Sequence, residues 1–148
     1  MGITLTKERI YQAFISDSPK KTFWHGHSFT ANPLGCAAAN ASLDLLENDP
    51  GKYLSFEEKH FFYLKEIKKL PFVKNIRVTG TIAAFDIEIS NNQGYLSTIG
   101  KRIKDLSIKK GLFIRTLGNV IYLLPPLCIT DNQLEESYRI IFEILSDL

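Results

Sequence analysis

From residue 72 onward the apolar residues change period in a fixed order, and that order constrains the fold more than any other feature of the chain. Phe72, Lys74, Ile76 and Val78 point one way and Val73, Asn75 and Arg77 the other. After Thr79-Gly80-Thr81, the run Ala83, Phe85, Ile87, Ile89 alternates with Ala84, Asp86 and Glu88. A period of two is that of a strand, and the polar set on the second run marks a wetted face. Leu96, Ile99, Ile103 and Leu106 then recur at helical spacing, with Lys109 and Lys110 in the last turn and Gly111 just past it, where a left-handed residue closes a helix. Two further strands, Leu112–Thr116 and Val120–Leu124, join through Leu117-Gly118-Asn119 and stop at Pro125-Pro126. Thr130 with Gln133 forms a capping box for a last helix carrying Leu134, Tyr138, Ile141 and Leu145 on one face. Strand, strand, helix, strand, strand, helix predicts an α+β layer, with helices on one face of a small, mostly antiparallel sheet.

The first 71 residues read differently. Ile3-Thr4-Leu5 is strand-like with no partner nearby, and Thr6 can cap a helix through Glu8, Ile10, Tyr11, Ala13 and Phe14. A polar loop, residues 16–21, leads into the aromatic and hydroxyl-rich stretch 22–30. Asn32-Pro33 is a helix start: Asn suits the N-cap, and Pro suits the first helical position, where its missing N–H costs nothing. Gly35, Ala37, Ala38, Ala39 and Ala41 make this helix thin until Asn48-Asp49-Pro50-Gly51 ends it. A further helix is expected over residues 53–69, closed by Pro71.

Composition narrows the function classes. With 45% apolar and 23% charged residues the chain has the make-up of a globular protein and not of a disordered one. A net charge of +2 implies no basic field of the kind that binds nucleic acid. No run of 18 apolar residues predicts a membrane span, and the first residues lack the apolar core of a secretory signal. Two cysteines, Cys36 and Cys128, offer neither a disulfide framework nor a paired metal-ligand spacing, so a reduced, cytoplasmic setting is expected.

Several residues could carry chemistry. The N-terminus of the helix at Asn32-Pro33 favours an anion such as phosphate, with Ser28 and Thr30 as hydroxyl donors and Gly26 allowing close backbone approach; the plainer reading makes them turn residues. Arg115 lies in an apolar strand, where a guanidinium needs a carboxylate or phosphate partner, unless it forms an internal ion pair or faces solvent. His25 and His27 lack a third ligand, so no metal site is expected, and His60 reads as a surface helix residue. Cys36 and the cluster Phe61-Phe62-Tyr63 read as packing residues, and Lys101, Lys104, Lys109 and Lys110 as a solvated face.

Two stretches carry a family resemblance. The run from His25 to Ala39, HGHSFTANPLGCAAA, resembles the H-G-x-[ST]-x-x-x-N-P-L-[AG]-C-A-A-A stretch of class III pyridoxal-phosphate aminotransferases. The run from Leu112 to Pro126, LFIRTLGNVIYLLPP, is similar to W-I-R-P-F-G-x-x-I-Y-L-M-P-P of that branch of the class that serves biotin biosynthesis. The similarity covers the whole chain in the right order. It implies transfer of an amino group from S-adenosylmethionine to 8-amino-7-oxononanoate, giving 7,8-diaminononanoate, with pyridoxal 5'-phosphate as cofactor. Small-molecule substrates and a homodimer of the complete enzyme follow from it.

Residue by residue, Ser28 matches the hydroxyl that binds the cofactor phosphate across the dimer interface, and His27 stands beside it with only its backbone expected to matter. Gly26 matches a glycine lining the substrate pocket, Arg115 the arginine that holds the substrate carboxylate, and Tyr122 falls near the same end. Thr116-Leu117 departs from the Pro-Phe common there. No lysine of the chain has the Ser-Lys context of the residue that forms the Schiff base, which in the family lies before the position matching Met1. The resemblance therefore predicts no catalytic residue here and a C-terminal fragment, inactive alone. Residues 1–32 would be a remnant of the large cofactor-binding domain and linker, and residues 33–148 the small C-terminal domain of a fold-type I enzyme. Two alternatives stand beside it: an ornithine- or 4-aminobutyrate-type transaminase of the same class, and a non-catalytic small-molecule-binding α+β module.

Overall fold

The computed structural model describes residues 2–89 and 94–148. The chain forms two compact units, Met1–Asp49 and Pro50–Leu148.

In the first unit, α1 (Glu8–Gln12) and a 3-10 turn (Pro19–Lys21) precede α2 (Pro33–Asn48). Lys7, not Thr6, occupies the N-cap of α1 and gives it no side-chain bond. Ile3-Thr4-Leu5 forms no strand. A strand is a pairing, and none of the described segments pairs with it. At α2 the expected cap is present: Asn32 Oδ1 accepts from the N–H groups of Leu34 (2.9 Å) and Gly35 (3.2 Å). The thin helix buries none of its residues.

The second unit runs α3 (Pro50–Ile67), β1 (Val73–Thr79), β2 (Ile82–Ile87), α4 (Ile99–Lys109), β3 (Arg115–Leu117), β4 (Val120–Leu123), α5 (Asp131–Ser146). The four strands lie in the order β1-β2-β4-β3, every pair antiparallel. Phe85, Ile87 and Ile121 of the sheet meet Ile67 of α3, Ile103 of α4 and Ile141 of α5 in one apolar core. The helices thus cover one sheet face, as the period pattern predicts. On the other face the register aligns Arg77, Ala84, Tyr122 and Arg115 in one row across all four strands.

Several details differ from the sequence reading. The helix expected over residues 53–69 spans Pro50–Ile67. The helix expected from Leu96 begins at Ile99, because Ser97 N–H bonds Gly94 O in a turn and Ser97 Oγ takes the Ile99 N–H. Leu96 is left exposed. The third strand begins at Arg115 and not Leu112, since the stretch opposite Leu112-Phe113-Ile114 leads into Pro125-Pro126, which have no N–H to donate. His60 is fully buried and not a surface residue. Gly111 takes φ +81 just past α4, and Thr130 and Gln133 close both bonds of the capping box on α5.

Candidate functional site

Arg115 and Tyr122 are opposite one another in the β3–β4 register, with the guanidinium carbon 5.7 Å from the tyrosine ring centroid. Beyond them the two strands part, and the gap is a cleft of about 330 Å³. Its walls are apolar, formed by Phe113, Leu124, Pro125, Ile129 and Leu134, with Arg115 at one side. One fixed cation beside an apolar slot suits a ligand with a carboxylate at the end of an aliphatic body.

Of the alternatives open for Arg115 in the sequence, the structure gives the solvent-facing one: β3 is the edge strand of the sheet and Arg115 is exposed, as are Phe113 and Leu117 on either side. Its charge is not stranded in the core. It stands over the Tyr122 ring, and its N–H groups have no side-chain partner among the described residues. Ile114, between Phe113 and Arg115, points the other way and is buried.

In the first unit, Gly26, His27 and Ser28 are consecutive and exposed. A Cβ at Gly26 would meet nothing within 4 Å, so the backbone there is open to a ligand. His27 shapes the turn with both main chain and ring: its O accepts the Thr30 N–H at 3.1 Å, and its Nδ1 accepts the Phe29 N–H at 3.2 Å. The ring therefore does more than the sequence reading allowed. Ser28 carries an exposed hydroxyl with no partner among the described residues. Next to it, a hollow of about 620 Å³ is lined by His27, Phe29, Asn32 and Leu34. The helix end offers an anion less than the sequence suggested, because Asn32 already takes the Leu34 and Gly35 amides and Pro33 has none. The Ser28 hydroxyl is thus one uncommitted donor two residues from an open glycine.

His60 and Asn119 were not singled out as site residues. His60 Nδ1 stands 2.6 Å from the Tyr138 hydroxyl and Nε2 3.1 Å from Thr81 O. A carbonyl only accepts, so Nε2 carries the proton and Nδ1 accepts from Tyr138. Burial holds the imidazole below its ordinary pKa, opposed by the Thr81 bond, and burial raises the Tyr138 hydroxyl. Of the cluster Phe61-Phe62-Tyr63, only Tyr63 packs against the core, stacked on Tyr138 at 5.2 Å; Phe61 and Phe62 are exposed, Phe62 standing edge-on to Tyr63. Cys36 is half-buried and Cys128 exposed. Among the described residues no group of three or more His, Cys, Asp or Glu could hold a metal ion, and no helix is long and apolar enough to cross a membrane.

The family profile described as Aminotransferase class-III matches residues 1–145. The chain belongs to the class III aminotransferases. Along its full length it is 45% identical to the adenosylmethionine-8-amino-7-oxononanoate aminotransferase of Synechococcus elongatus, covering 35% of that protein. The protein of the same name from Geobacter sulfurreducens is 38% identical over 91% of the chain and 31% of its own length. This aminotransferase chain thus spans about a third of the length of the curated relatives it matches. The crystal structure of the Methanocaldococcus jannaschii adenosylmethionine-8-amino-7-oxononanoate aminotransferase superposes with a TM-score of 0.80 at 27% identity, over 96% of this chain and 34% of that one. The acetylornithine aminotransferase of Elizabethkingia anophelis superposes at 0.68 with 30% identity, over 84% and 31%.

Proposed function

We propose that this chain forms the substrate side of a pyridoxal-phosphate-dependent transaminase of biotin biosynthesis, moving an amino group from S-adenosylmethionine to 8-amino-7-oxononanoate to give 7,8-diaminononanoate. The observation that carries the reading is the Arg115–Tyr122 pair at the mouth of an apolar cleft. The acceptor has a carboxylate at the end of an aliphatic chain, and that slot has a matching shape and charge. The names of the relatives point the same way.

In this reading Arg115 binds the carboxylate through two parallel N–H···O bonds and Tyr122 keeps the guanidinium from swinging away. Ser28 donates its hydroxyl to the cofactor phosphate, with His27 fixing the turn and Gly26 leaving room for the substrate. When bound, pyridoxal phosphate supplies the electron sink on which the amino group is exchanged. The parent enzyme would be a cytoplasmic homodimer, with residues 1–32 belonging to its large domain and 33–148 to its small one.

The test is a chimera in which this chain replaces the last third of the Synechococcus elongatus relative. Formation of 7,8-diaminononanoate from S-adenosylmethionine and 8-amino-7-oxononanoate is the expected result. Turnover of ornithine or 4-aminobutyrate in their place would overturn the reading.

A further inference from the structure

The β3–β4 hairpin that carries Arg115 and Tyr122 is too small to hold itself in place. Its ladder has only the pairs Arg115↔Tyr122, Thr116↔Ile121 and Leu117↔Val120, and short hairpins are marginal in water. The turn is fixed from outside. Gly118 O accepts the Gly100 N–H at the start of α4 (3.1 Å). Gly118 has φ +60, and a Cβ there would stand 2.2 Å from Gly94 O.

Asn119 makes the larger contribution. Only 8% of its surface is exposed, unusual for the tip of a two-residue turn. Its Nδ2 donates to Ile87 O at 3.1 Å and its Oδ1 accepts the Gly94 N–H at 3.0 Å, while its main-chain O accepts the Ile87 N–H at 2.9 Å. One side chain therefore ties the turn both to the end of β2 and to residue 94, at the far side of the connection leading to α4. Loss of the carboxamide would leave a buried carbonyl and an amide unmet at once.

We infer that Asn119 is a positioning residue: its buried carboxamide locks the β3–β4 turn to Ile87 and Gly94 and thereby sets where the Arg115 guanidinium stands for an incoming carboxylate. The inference rests on the reading of Arg115 given above. Arg115 lies four residues from Asn119 on the edge strand, which β4 alone flanks in the sheet, so a pivot of the turn is carried along β3 to the guanidinium. A misplacement of about an ångström at a binding group is costly out of proportion to its size.

The experiment uses the ¹⁵N-labelled 148-residue chain. The Arg115 Nε–H resonance, assigned by its loss in Arg115→Lys, senses the Tyr122 ring current. In Asn119→Ala that resonance should move toward the position of a free arginine, while the methyl resonances of Ile103 and Ile141 stay in place. Asn119→Asp keeps the acceptor for Gly94 and loses the donor to Ile87, so it should move part of the way. Pimelate, a dicarboxylate with an aliphatic body, should bind Asn119→Ala roughly tenfold more weakly than wild type. An Arg115 resonance unchanged in both variants overturns the inference, as does one that moves only together with the core methyls. If Asn119→Ala does not fold, Asn119→Asp decides by the same resonance. Failure of pimelate to bind the wild type would instead overturn the carboxylate reading of Arg115, and the resonance would still decide the positioning role.

Discussion

The Arg115 guanidinium lies over the ring of Tyr122, its partner in the β3–β4 register, at 5.7 Å from the ring centroid. An exposed cation held this way gains about 0.5–1 kcal/mol from the ring, and its donors have no side-chain partner among the described residues. Stability and binding should therefore separate at this pair.

In the chimera, Arg115→Ala should lower catalytic efficiency toward the carboxylate-bearing acceptor and leave the donor half-reaction close to wild type. Losing a bidentate pair typically costs about 2–5 kcal/mol, roughly thirtyfold to several-thousandfold in efficiency. Arg115→Lys should recover only part of it, because a point charge lacks the planar fork. In the isolated chain, the urea midpoint of Arg115→Ala should move by no more than about 1 kcal/mol equivalent. A variant that handles the acceptor normally but loses the cofactor would reassign Arg115.

The isolated chain should form no 7,8-diaminononanoate when given pyridoxal phosphate and both substrates. None of its lysines has the Ser-Lys setting of the residue that anchors the cofactor, and without that amine neither the anchor nor the base for the proton shift is supplied. Product assayed by chromatography at a rate near that of the chimera would contradict this.

Much of the second unit was legible because its signals are local. The capping box on α5 needs only Thr130 and Gln133, three residues apart, and Gly111 closes α4 by its own backbone freedom. Burial that depends on distant partners was not legible. His60 is buried by Tyr138, 78 positions away, which no helical period can show. For Arg115 the sequence left a partnered charge and a solvent-facing side chain both open; its exposure follows from β3 lying at the sheet edge, a matter of strand order. The role of Asn119 was equally hidden, since its partners Ile87 and Gly94 are both remote in sequence. Glycine before asparagine in a two-residue turn was the signal available, and it specifies the turn and not what the turn is tied to.

His60 should make the second unit sensitive to acid. Burial holds its folded pKa below the ordinary value of 6.5. The unfolded chain then binds the proton more readily, so stability is full above about pH 6.5 and falls as pH drops toward the lowered folded value, by up to about 1.4 kcal/mol per pH unit. Urea titrations at pH 7.5 and 5.0 should show a smaller loss in His60→Leu than in wild type. Tyr138→Phe should destabilise at both pH values, by about 1–3 kcal/mol, because Nδ1 keeps its burial and loses its donor. An equal pH dependence in wild type and His60→Leu would remove His60 from the account.

Two glycines with positive φ should respond differently to alanine, and the contrast separates backbone strain from packing. Gly111 has φ +81, but a Cβ there would meet nothing within 4 Å. Gly111→Ala pays only for the left-handed backbone, about 1 kcal/mol, and Gly111→Asn less, since asparagine tolerates that region. Gly118 has φ +60, and its Cβ would fall 2.2 Å from Gly94 O and 2.7 Å from Tyr95 Cα. Both obstacles are backbone and cannot rotate aside. Gly118→Ala must therefore move the turn or the segment at residue 94, breaking the Gly100 N–H bond to Gly118 O or the Gly94 bond to Asn119. A loss of more than about 3 kcal/mol is expected, in the range of lost buried networks. Amide exchange should locate it, with protection falling first at Gly94 and Gly100 and the amides of α5 least affected. Equal losses for the two alanine variants, read from urea midpoints, would mean that the close approach at Gly118 does not hold the turn.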